Sequence, residues 1–214
     1  MTALNQWNTG FRVLLLLLLV SQLSACPLAV IGVAGGAMAV HDRRPAQTML
    51  EDERIEVKAN DLIYSDKKLE RKIHANITSY NHIVLLTGEV ISKDLQQYAV
   101  DLVSNLDKVK RVHNELTINS LANFSERSGD TWLTSKVKGK MLSSKELDAS
   151  RVKVVSESDT VYLMGLVTPD EGQIAARIAS ETEGVQKVIT LFEYIDPAQV
   201  EDDAKIQTPK MQKL

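Results

Sequence analysis

The sequence predicts an α+β protein built from two similar units, and three observations support this prediction. Apolar residues alternate along short runs bounded by turn residues, as in strands, and recur at helical spacing in other segments. Two strand-like runs, Ile83–Val90 and Thr160–Val167, align at an offset of 77 residues, with Gly88 opposite Gly165. The composition, 44% hydrophobic and 25% charged in a chain of 214 residues, is typical of a globular protein.

The similarity between the two halves continues beyond these glycines, where the offset falls to 76 because one residue is deleted. The register is kept by five pairs of similar residues: Asp94 and Asp170, Ala99 and Ala175, Leu102 and Ile178, Val109 and Val185, Val112 and Val188. Two repeats of about 65 residues are therefore favoured over one large domain, and each is long enough for a modest core.

Each repeat is predicted to run helix, strand, strand, helix, strand. In the first, the elements are a helix over 53–64, a strand from 73, a turn at Asn81-His82, a strand over 82–90, a helix capped by Asp94 and a strand over 112–118. In the second, they are a helix capped by Asp130 or Thr131, strands over 152–157 and 160–167 joined at Ser158-Asp159, a helix from Asp170 and a strand over 186–195.

A strand that follows a helical crossover returns parallel, whereas a hairpin is antiparallel. We therefore expect a mixed three-stranded sheet in each repeat, with both helices on one face. Gly88 and Gly165 lie inside strand patterns. A glycine in such a place indicates a bulge or the close approach of another backbone, so we expect both to be structural.

The first 25 residues have the layout of a secretory signal peptide, with Arg12, an apolar run over 13–20 and small residues before Cys26. That run is too short to cross a bilayer core of about 30 Å as a helix. Leu23-Ser24-Ala25-Cys26 resembles the bacterial lipobox, which implies a diacylglyceryl group on Cys26, and Pro27 after it implies sorting to the outer membrane. The alternative is a signal with a chance cysteine. A single cysteine excludes an internal disulfide.

These observations predict a domain organisation from end to end. Its segments are a signal peptide over 1–25, a lipidated flexible tether over 26–51, a first repeat over 52–118, a linker over 119–129, a second repeat over 130–196 and a disordered tail over 197–214.

The strand motifs Ile-Val-Leu-Leu-Thr-Gly and Val-Tyr-Leu-Met-Gly, the Ala-rich helices and the Val-x-x-Val endings resemble the BON domain, over roughly residues 52–196. With the lipobox, the chain resembles outer-membrane lipoproteins that carry two BON domains. The resemblance implies a lipid-anchored protein that faces the periplasm, binds anionic phospholipid and supports outer-membrane integrity.

A basic patch opens the second repeat: residues 132–155 hold six cationic and two acidic side chains, in a chain of net charge −3. Trp132, Lys136 and Lys140 form an i, i+4, i+8 row suited to a membrane interface. We predict phospholipid binding by Trp132, Leu133, Lys136 and Lys140, although Leu133 also belongs to the stripe with Val137 and Met141 that suits a core. The alternative is that Trp132 covers the core and the lysines are merely solvated.

The two repeats are not equivalent in charge. The first helix carries Glu53, Glu56 and Asp61 against Arg54 and Lys58, and it has no tryptophan. Anionic lipid should therefore not bind there, and we expect the first repeat to pack on the second or to meet a protein.

Catalysis and nucleic-acid binding find little support, so no catalytic residue, metal or cofactor is predicted. The histidines (His41, His74, His82 and His113) show no metal-binding spacing, and no Gly-x-Ser-x-Gly elbow or phosphate loop occurs. An acidic chain without a Gly-x-x-Gly clamp does not suit RNA. A competing hypothesis is an adaptor for outer-membrane assembly proteins, in which the basic helix is incidental.

Overall fold

The computed structural model describes residues 42–119 and 124–197, with side chains of the second range from 129 onward. Each repeat runs helix, strand, strand, helix, strand. The elements are α1 (Ala46–Ser65), β1 (Ile73–Tyr80), β2 (Ile83–Val90), α2 (Lys93–Ser104), β3 (Arg111–Ile118), α3 (Phe124–Ser143), a 3-10 turn (Ala149–Arg151), β4 (Lys153–Glu157), β5 (Thr160–Val167), α4 (Pro169–Ser180) and β6 (Lys187–Tyr194). The predicted signal peptide, Cys26 and nearly all of the predicted tail lie outside the described residues.

The sheets have the predicted mixed topology. Their strand orders are β1-β2-β3 and β4-β5-β6. In each sheet the hairpin strands are antiparallel and the last strand is parallel to the central one, with Val84 opposite Val112 and Val161 opposite Val188. The predicted fold class, an α+β protein of two α-β-β-α-β repeats, is confirmed.

Both helices of a repeat pack on the same face of its sheet and form a separate core there. The buried stripe of α1 consists of Ile55, Ala59 and Ile63, and that of α3 consists of Leu133, Val137 and Met141. These stripes correspond at an offset of 78 residues. Both span i, i+4, i+8, which is the spacing of one helix face.

Two helices begin earlier than predicted. α1 starts at Ala46, inside the predicted tether, and α3 starts at Phe124, inside the predicted linker. Apolar periodicity in a sequence reveals only those helical turns that pack against the core. The first turn of α1 is mostly polar or exposed, so no such periodicity marks it in the sequence. Asp130 and Thr131 are therefore interior residues of α3, and the prediction that one of them caps the helix is wrong.

The other two helix starts were misplaced by two residues. Ser92 is the N-cap of α2 and its side chain accepts a bond from Leu95 N–H, while Asp94 lies in the first turn. Thr168, the residue before Pro169, is the N-cap of α4 and forms a capping box with Glu171. Acidic residues in a first turn are favoured by the helix dipole, so they resemble caps in sequence.

The hairpin turns and strand glycines agree with prediction. Asn81 and His82 both have positive φ, as do Ser158 and Asp159, which is the geometry of a type I′ turn. A Cβ on Gly88 would lie 2.1 Å from the carbonyl oxygen of His74, and one on Gly165 would lie 2.4 Å from that of Arg151. Only glycine permits these close approaches between backbones.

The sheet faces opposite the helices pack on each other, which makes the chain from Arg43 onward one compact unit. A third apolar cluster joins the repeats. Its buried members are Tyr80, Ile83, Leu85, Tyr162 and Met164. The expectation that the first repeat packs on the second is thereby confirmed.

Candidate functional site

The outward surface of α3 carries two large apolar side chains that nothing covers. Trp132 is 68% exposed and Leu142 is 58% exposed. They lie ten residues apart, or about 15 Å along a helix. The residues between them on this surface, Ser135 and Gly139, are small and exposed, as is Ser143 just beyond Leu142. The result is a narrow strip with an aromatic ring near one end and an aliphatic side chain near the other, and we call it the α3 strip.

Leu133 does not belong to the α3 strip. It is only 5% exposed and packs in the core of the second repeat beside Val137 and Met141. A rotation of 100° along the helix separates Leu133 from Trp132 and turns it inward, so its burial does not favour the predicted contact with phospholipid. Leu142 takes the place of a second apolar contact, and sequence reasoning missed it because it lies ten residues from Trp132.

Lys136 and Lys140 flank the α3 strip on the side of α4, and both bind the segment that follows that helix. The Nζ of Lys136 lies 2.9 Å from Glu183 Oε2 and 3.0 Å from the Glu183 carbonyl oxygen. The Nζ of Lys140 donates to the carbonyl oxygen of Glu181 at 2.7 Å. The hydrogen bond and charge of Lys136 lower the pKa of Glu183. Lys136 is thus partly neutralised, whereas Lys140 contacts a neutral carbonyl.

Lys138 flanks the α3 strip on the other side, towards β4. Burial lowers its pKa, and the nearby charge of Lys153 lowers it further. Within the described residues Lys138 forms no ion pair. In the sequence, Lys138 belongs to the basic patch but not to the row of Trp132, Lys136 and Lys140, so it was not predicted to bind lipid. Helical spacing does not show which lysines form ion pairs.

The surplus charge of the patch is smaller than the sequence count suggests. Arg151 forms ion pairs with Glu171 and Asp148, and Glu146 pairs with Arg177. Of the lysines beside the α3 strip, neither Lys138 nor Lys140 forms an ion pair among the described residues, although the charge of Lys140 helps to lower the pKa of Glu183. A groove of about 490 Å³ runs along the Lys136 side between α3 and the end of α4.

A half-buried aspartate, Asp130, positions the start of this surface. The carboxylate of Asp130 accepts bonds from the backbone N–H groups of Ser158 and Asp159 in the β4–β5 turn. Burial raises the pKa of Asp130, and these bonds oppose that effect. The bond fixes α3 against the hairpin two residues before Trp132, so the ring has a rigid support.

Among the described residues, α1 does not repeat the exposed tryptophan and flanking lysines of α3. The exposed large apolar residues of α1 are Leu50, Val57 and Tyr64. The α1 position equivalent to Trp132 is Arg54, and that equivalent to Lys138 is Asn60. The first helices of the two repeats therefore differ in their exposed side chains as well as in their charge.

The described histidines lie apart from this surface. His82 pairs with Glu51 at 2.8 Å, and the Nδ1 of His74 lies 3.7 Å from Glu89. Burial lowers the pKa of His113. No group of three or more histidine, cysteine or acidic residues suited to a metal ion occurs in the part of the chain that the structure describes.

Comparison with known proteins identifies the class. The model of the BON domain family matches residues 51–120 and 129–196, one match for each repeat. The chain therefore belongs to the BON-domain family and carries two such domains.

A relative similar over nearly its whole length is the outer membrane lipoprotein DolP of Haemophilus influenzae, which is 40% identical over 177 residues, 81% of this chain and 91% of the relative. The present protein is likewise a lipoprotein of the outer membrane. Of the described helices, none has the length and apolar character needed to cross a bilayer.

Two further similarities are more distant. A 21 kDa hemolysin of Actinobacillus pleuropneumoniae is 30% identical over 154 residues, 72% of this chain and 79% of the relative. A solved structure of CdsD, a structural protein of the type III secretion system of Chlamydia trachomatis, has a TM-score of only 0.28 to this chain. The alignment covers 74% of this chain and 70% of the CdsD chain, at 13% sequence identity.

Proposed function

We propose that the second BON domain binds anionic phospholipid through the α3 strip and its flanking lysines, and that this contact supports outer-membrane integrity. The observation that carries the proposal is the 68% exposed Trp132 beside Lys136, Lys138 and Lys140. An indole ring favours the headgroup level of a bilayer, and a lysine near an anionic surface contributes about 1 kcal/mol.

The lipid anchor makes a weak contact sufficient. With acylated Cys26 in the membrane, 16 residues (27–42) precede Arg43, where the compact unit begins. A flexible chain of that length would span roughly 20 to 24 Å root-mean-square. Such a tether gives the α3 strip an effective concentration on the order of millimolar at its own membrane, so modest affinity keeps it mostly engaged.

Vesicle flotation of the mature chain without its acyl groups tests the proposal. We expect binding to vesicles of phosphatidylcholine mixed with phosphatidylglycerol, weakened by salt, and none to phosphatidylcholine alone. Trp132→Glu should abolish it, because a charge replaces the inserted ring. The matched control is Val57→Glu, which alters a 69% exposed apolar residue of α1 and should bind normally.

Absence of binding to either vesicle type, or equal loss in both variants, would overturn the proposal and favour the adaptor for outer-membrane assembly proteins. In cells, Trp132→Glu should leave the protein lipidated and in the outer-membrane fraction but unable to correct envelope defects. Cys26→Ala should instead release the protein or leave an unprocessed precursor.

A further inference from the structure

The interface between the two sheets contains two buried carboxylates that no lysine or arginine neutralises. Glu89 of β2 is 4% exposed, and Glu157 of β4 is 5% exposed. Among the described residues, neither forms an ion pair with a lysine or an arginine. Moving a carboxylate out of water is unfavourable unless a cation or hydrogen bonds compensate it, so two such groups in one interface require an explanation.

Glu157 reaches across the interface to the first repeat. Its Oε2 accepts a hydrogen bond from Nδ2 of Asn76 at 2.7 Å. Asn76 lies opposite Thr87 in the β1–β2 ladder. Thr87 and Glu89 point to the same face of the sheet, because they are two residues apart on β2. The two carboxylates, one from each repeat, therefore lie in one polar region of the interface.

One carboxylate oxygen of Glu89 has no hydrogen-bond partner. Glu89 Oε2 is buried and forms no hydrogen bond among the described residues, and the same is true of the Nδ1 of His74. These two atoms belong to opposed residues of the β1–β2 ladder and lie 3.7 Å apart, which is beyond hydrogen-bonding distance. Buried polar atoms without partners are uncommon in folded proteins, so this region is poorly suited to a full negative charge.

The groups that titrate around these two carboxylates come from several elements, and most of them are acids. They are His74 on β1, Glu115 on β3, Asp130 on α3 and Tyr162 on β5. Burial raises the pKa of Glu157, and the charges of Asp130 and Glu89 raise it further, against the hydrogen bond from Asn76. Burial and the charges of Glu115 and Glu157 raise the pKa of Tyr162 to about 12. The surroundings therefore favour a proton on Glu157.

Solvent reaches the edge of this region. A cavity of about 460 Å³ between the repeats is lined by His74 and Asn76 of β1 and by Asp130 of α3, among other residues. The region suits a proton better than a metal ion, because no group of three or more histidine, cysteine or acidic residues that could hold a metal occurs in the described part of the chain.

We propose that this interface is a proton-sensitive contact between the two repeats, which is closed while Glu157 carries a proton and loosens when Glu157 and Glu89 are both ionised. The proton is taken up from solvent, and no other bond forms or breaks. Repulsion between two carboxylates out of water acts on the sheets that carry them, because one carboxylate belongs to each repeat. The contact lies on a different surface from the α3 strip, so the inference does not rest on phospholipid binding.

The expected direction of the pH dependence follows from the burial of Glu157. A carboxyl group whose pKa is higher in the folded than in the unfolded chain stabilises the fold fully at pH values below its unfolded-state pKa, here 4.5. This contribution is lost as the pH rises through the folded-state pKa. The two repeats should therefore be joined more firmly at acidic than at neutral pH.

The test uses the mature full chain with Cys26→Ser and with spin labels on Asp101→Cys and Gln173→Cys, which are exposed positions of α2 and α4. Double electron–electron resonance should give one narrow distance distribution at about pH 5 and a broader one with a longer component at about pH 8. Glu157→Gln should keep the narrow distribution at both pH values, because its neutral amide oxygen still accepts from Asn76. Its urea midpoint should exceed that of the unaltered chain by a margin that widens above pH 4.5.

The matched control is Glu193→Gln, since Glu193 also accepts from an asparagine of the first repeat, Asn81, at 2.7 Å. This variant should respond to pH like the unaltered chain. Distances that do not change with pH, a response that survives in Glu157→Gln, or its loss in Glu193→Gln would each overturn the proposal. Closure at about pH 8 on addition of calcium would also overturn it, because a metal ion would then be the compensating cation. If the labelled chain fails to fold, the urea midpoints of the unlabelled variants decide.

Discussion

Asp52 is a buried hydrogen-bond acceptor that holds several segments of the first repeat together. It is 2% exposed, and its carboxylate accepts bonds from Ser79 Oγ, the N–H groups of Asn81 and His82, and Arg44, at 2.7 to 2.8 Å. These bonds join α1 to the end of β1, to the β1–β2 turn and to Arg44, two residues before α1. Asp130 has the same place in the second repeat but no described arginine partner.

We expect Asp52→Ala to lower the free energy of unfolding by about 3 kcal/mol, because the buried hydroxyl of Ser79 and the half-buried N–H groups of Asn81 and His82 lose their acceptor. Asp130→Ala should cost roughly half as much, since that carboxylate is less buried and its pKa is already raised by burial. Urea unfolding of both variants measures this. Equal losses would contradict the account.

The sequence predicted such single residues unevenly. Trp132 and Gly88 were identified because an exposed tryptophan row and a strand glycine have characteristic patterns. The roles of Asp52 and Asp130 could not be predicted, since an aspartate near a helix start resembles an N-cap until the helix boundary is known. The burial of Leu133 could be predicted from its place in the apolar stripe with Val137 and Met141, and the structure confirms that stripe.

At the scale of the element, α3 combines a core stripe, a covered flank and the exposed α3 strip. The pairing of Lys136 with Glu183 determines how much positive charge reaches the surface. Glu183 is 90% exposed in its side chain, so its carboxylate would lie close to an approaching membrane. The pair therefore opposes binding to an anionic surface.

Glu183→Gln should strengthen binding to anionic vesicles several-fold, because it removes a repelled carboxylate and frees Lys136. Flotation at low and moderate salt measures the change, and the gain should shrink as salt rises. Glu53→Gln, on α1, is the matched control and should gain much less. Equal gains would indicate that only net charge matters and that α3 is not the docking element.

The start of α4 is stabilised by charge. Burial would raise the pKa of Glu171, but hydrogen bonds from Arg43, the N–H of Thr168 and Arg151 outweigh it and hold the pKa at about 2. A carboxyl group whose pKa is lower in the folded than in the unfolded chain stabilises the fold fully at pH values above its unfolded-state pKa. This contribution is lost as the pH falls to the folded-state pKa. The window therefore lies between the ordinary 4.5 and about 2.

We expect Glu171→Gln to lower the free energy of unfolding by roughly 1 to 2 kcal/mol at neutral pH, after allowance for solvent screening. The difference from the unaltered chain should disappear as pH falls from about 4.5 to about 2. Urea midpoints across this range measure it. A constant difference at every pH would show that Glu171 contributes through packing and not through charge.

At the scale of the molecule, the packing of one sheet on the other joins the repeats. A strand that is buried on both faces of its sheet has consecutive apolar residues, as in the run Ile-Val-Leu-Leu at the start of β2. Each sheet and its helices could be predicted from local periodicity. The pairing of the sheets could not, because strand patterns do not say which surface covers the outward face.

Arg43 strengthens this arrangement at the entrance of the compact unit. Its guanidinium binds the carboxylate of Glu171 at 2.6 and 3.0 Å and the carbonyl oxygen of Leu166 at 2.9 Å. The next residue, Arg44, binds Asp52 of the first repeat. Two consecutive arginines thus attach the start of the unit to both repeats. Lys136 and Lys140, which flank the α3 strip, bind near the opposite end of α4.

The most direct test of the central claim is residue-by-residue NMR of the mature chain during titration with micelles containing phosphatidylglycerol. The account predicts that shift changes and line broadening concentrate in residues 130–143, strongest near Trp132, Gly139 and Leu142, with little change in α1. Zwitterionic micelles should leave both helices unchanged. Equal perturbation of α1 and α3, or changes confined to the sheet edges, would contradict the assignment of phospholipid binding to the α3 strip.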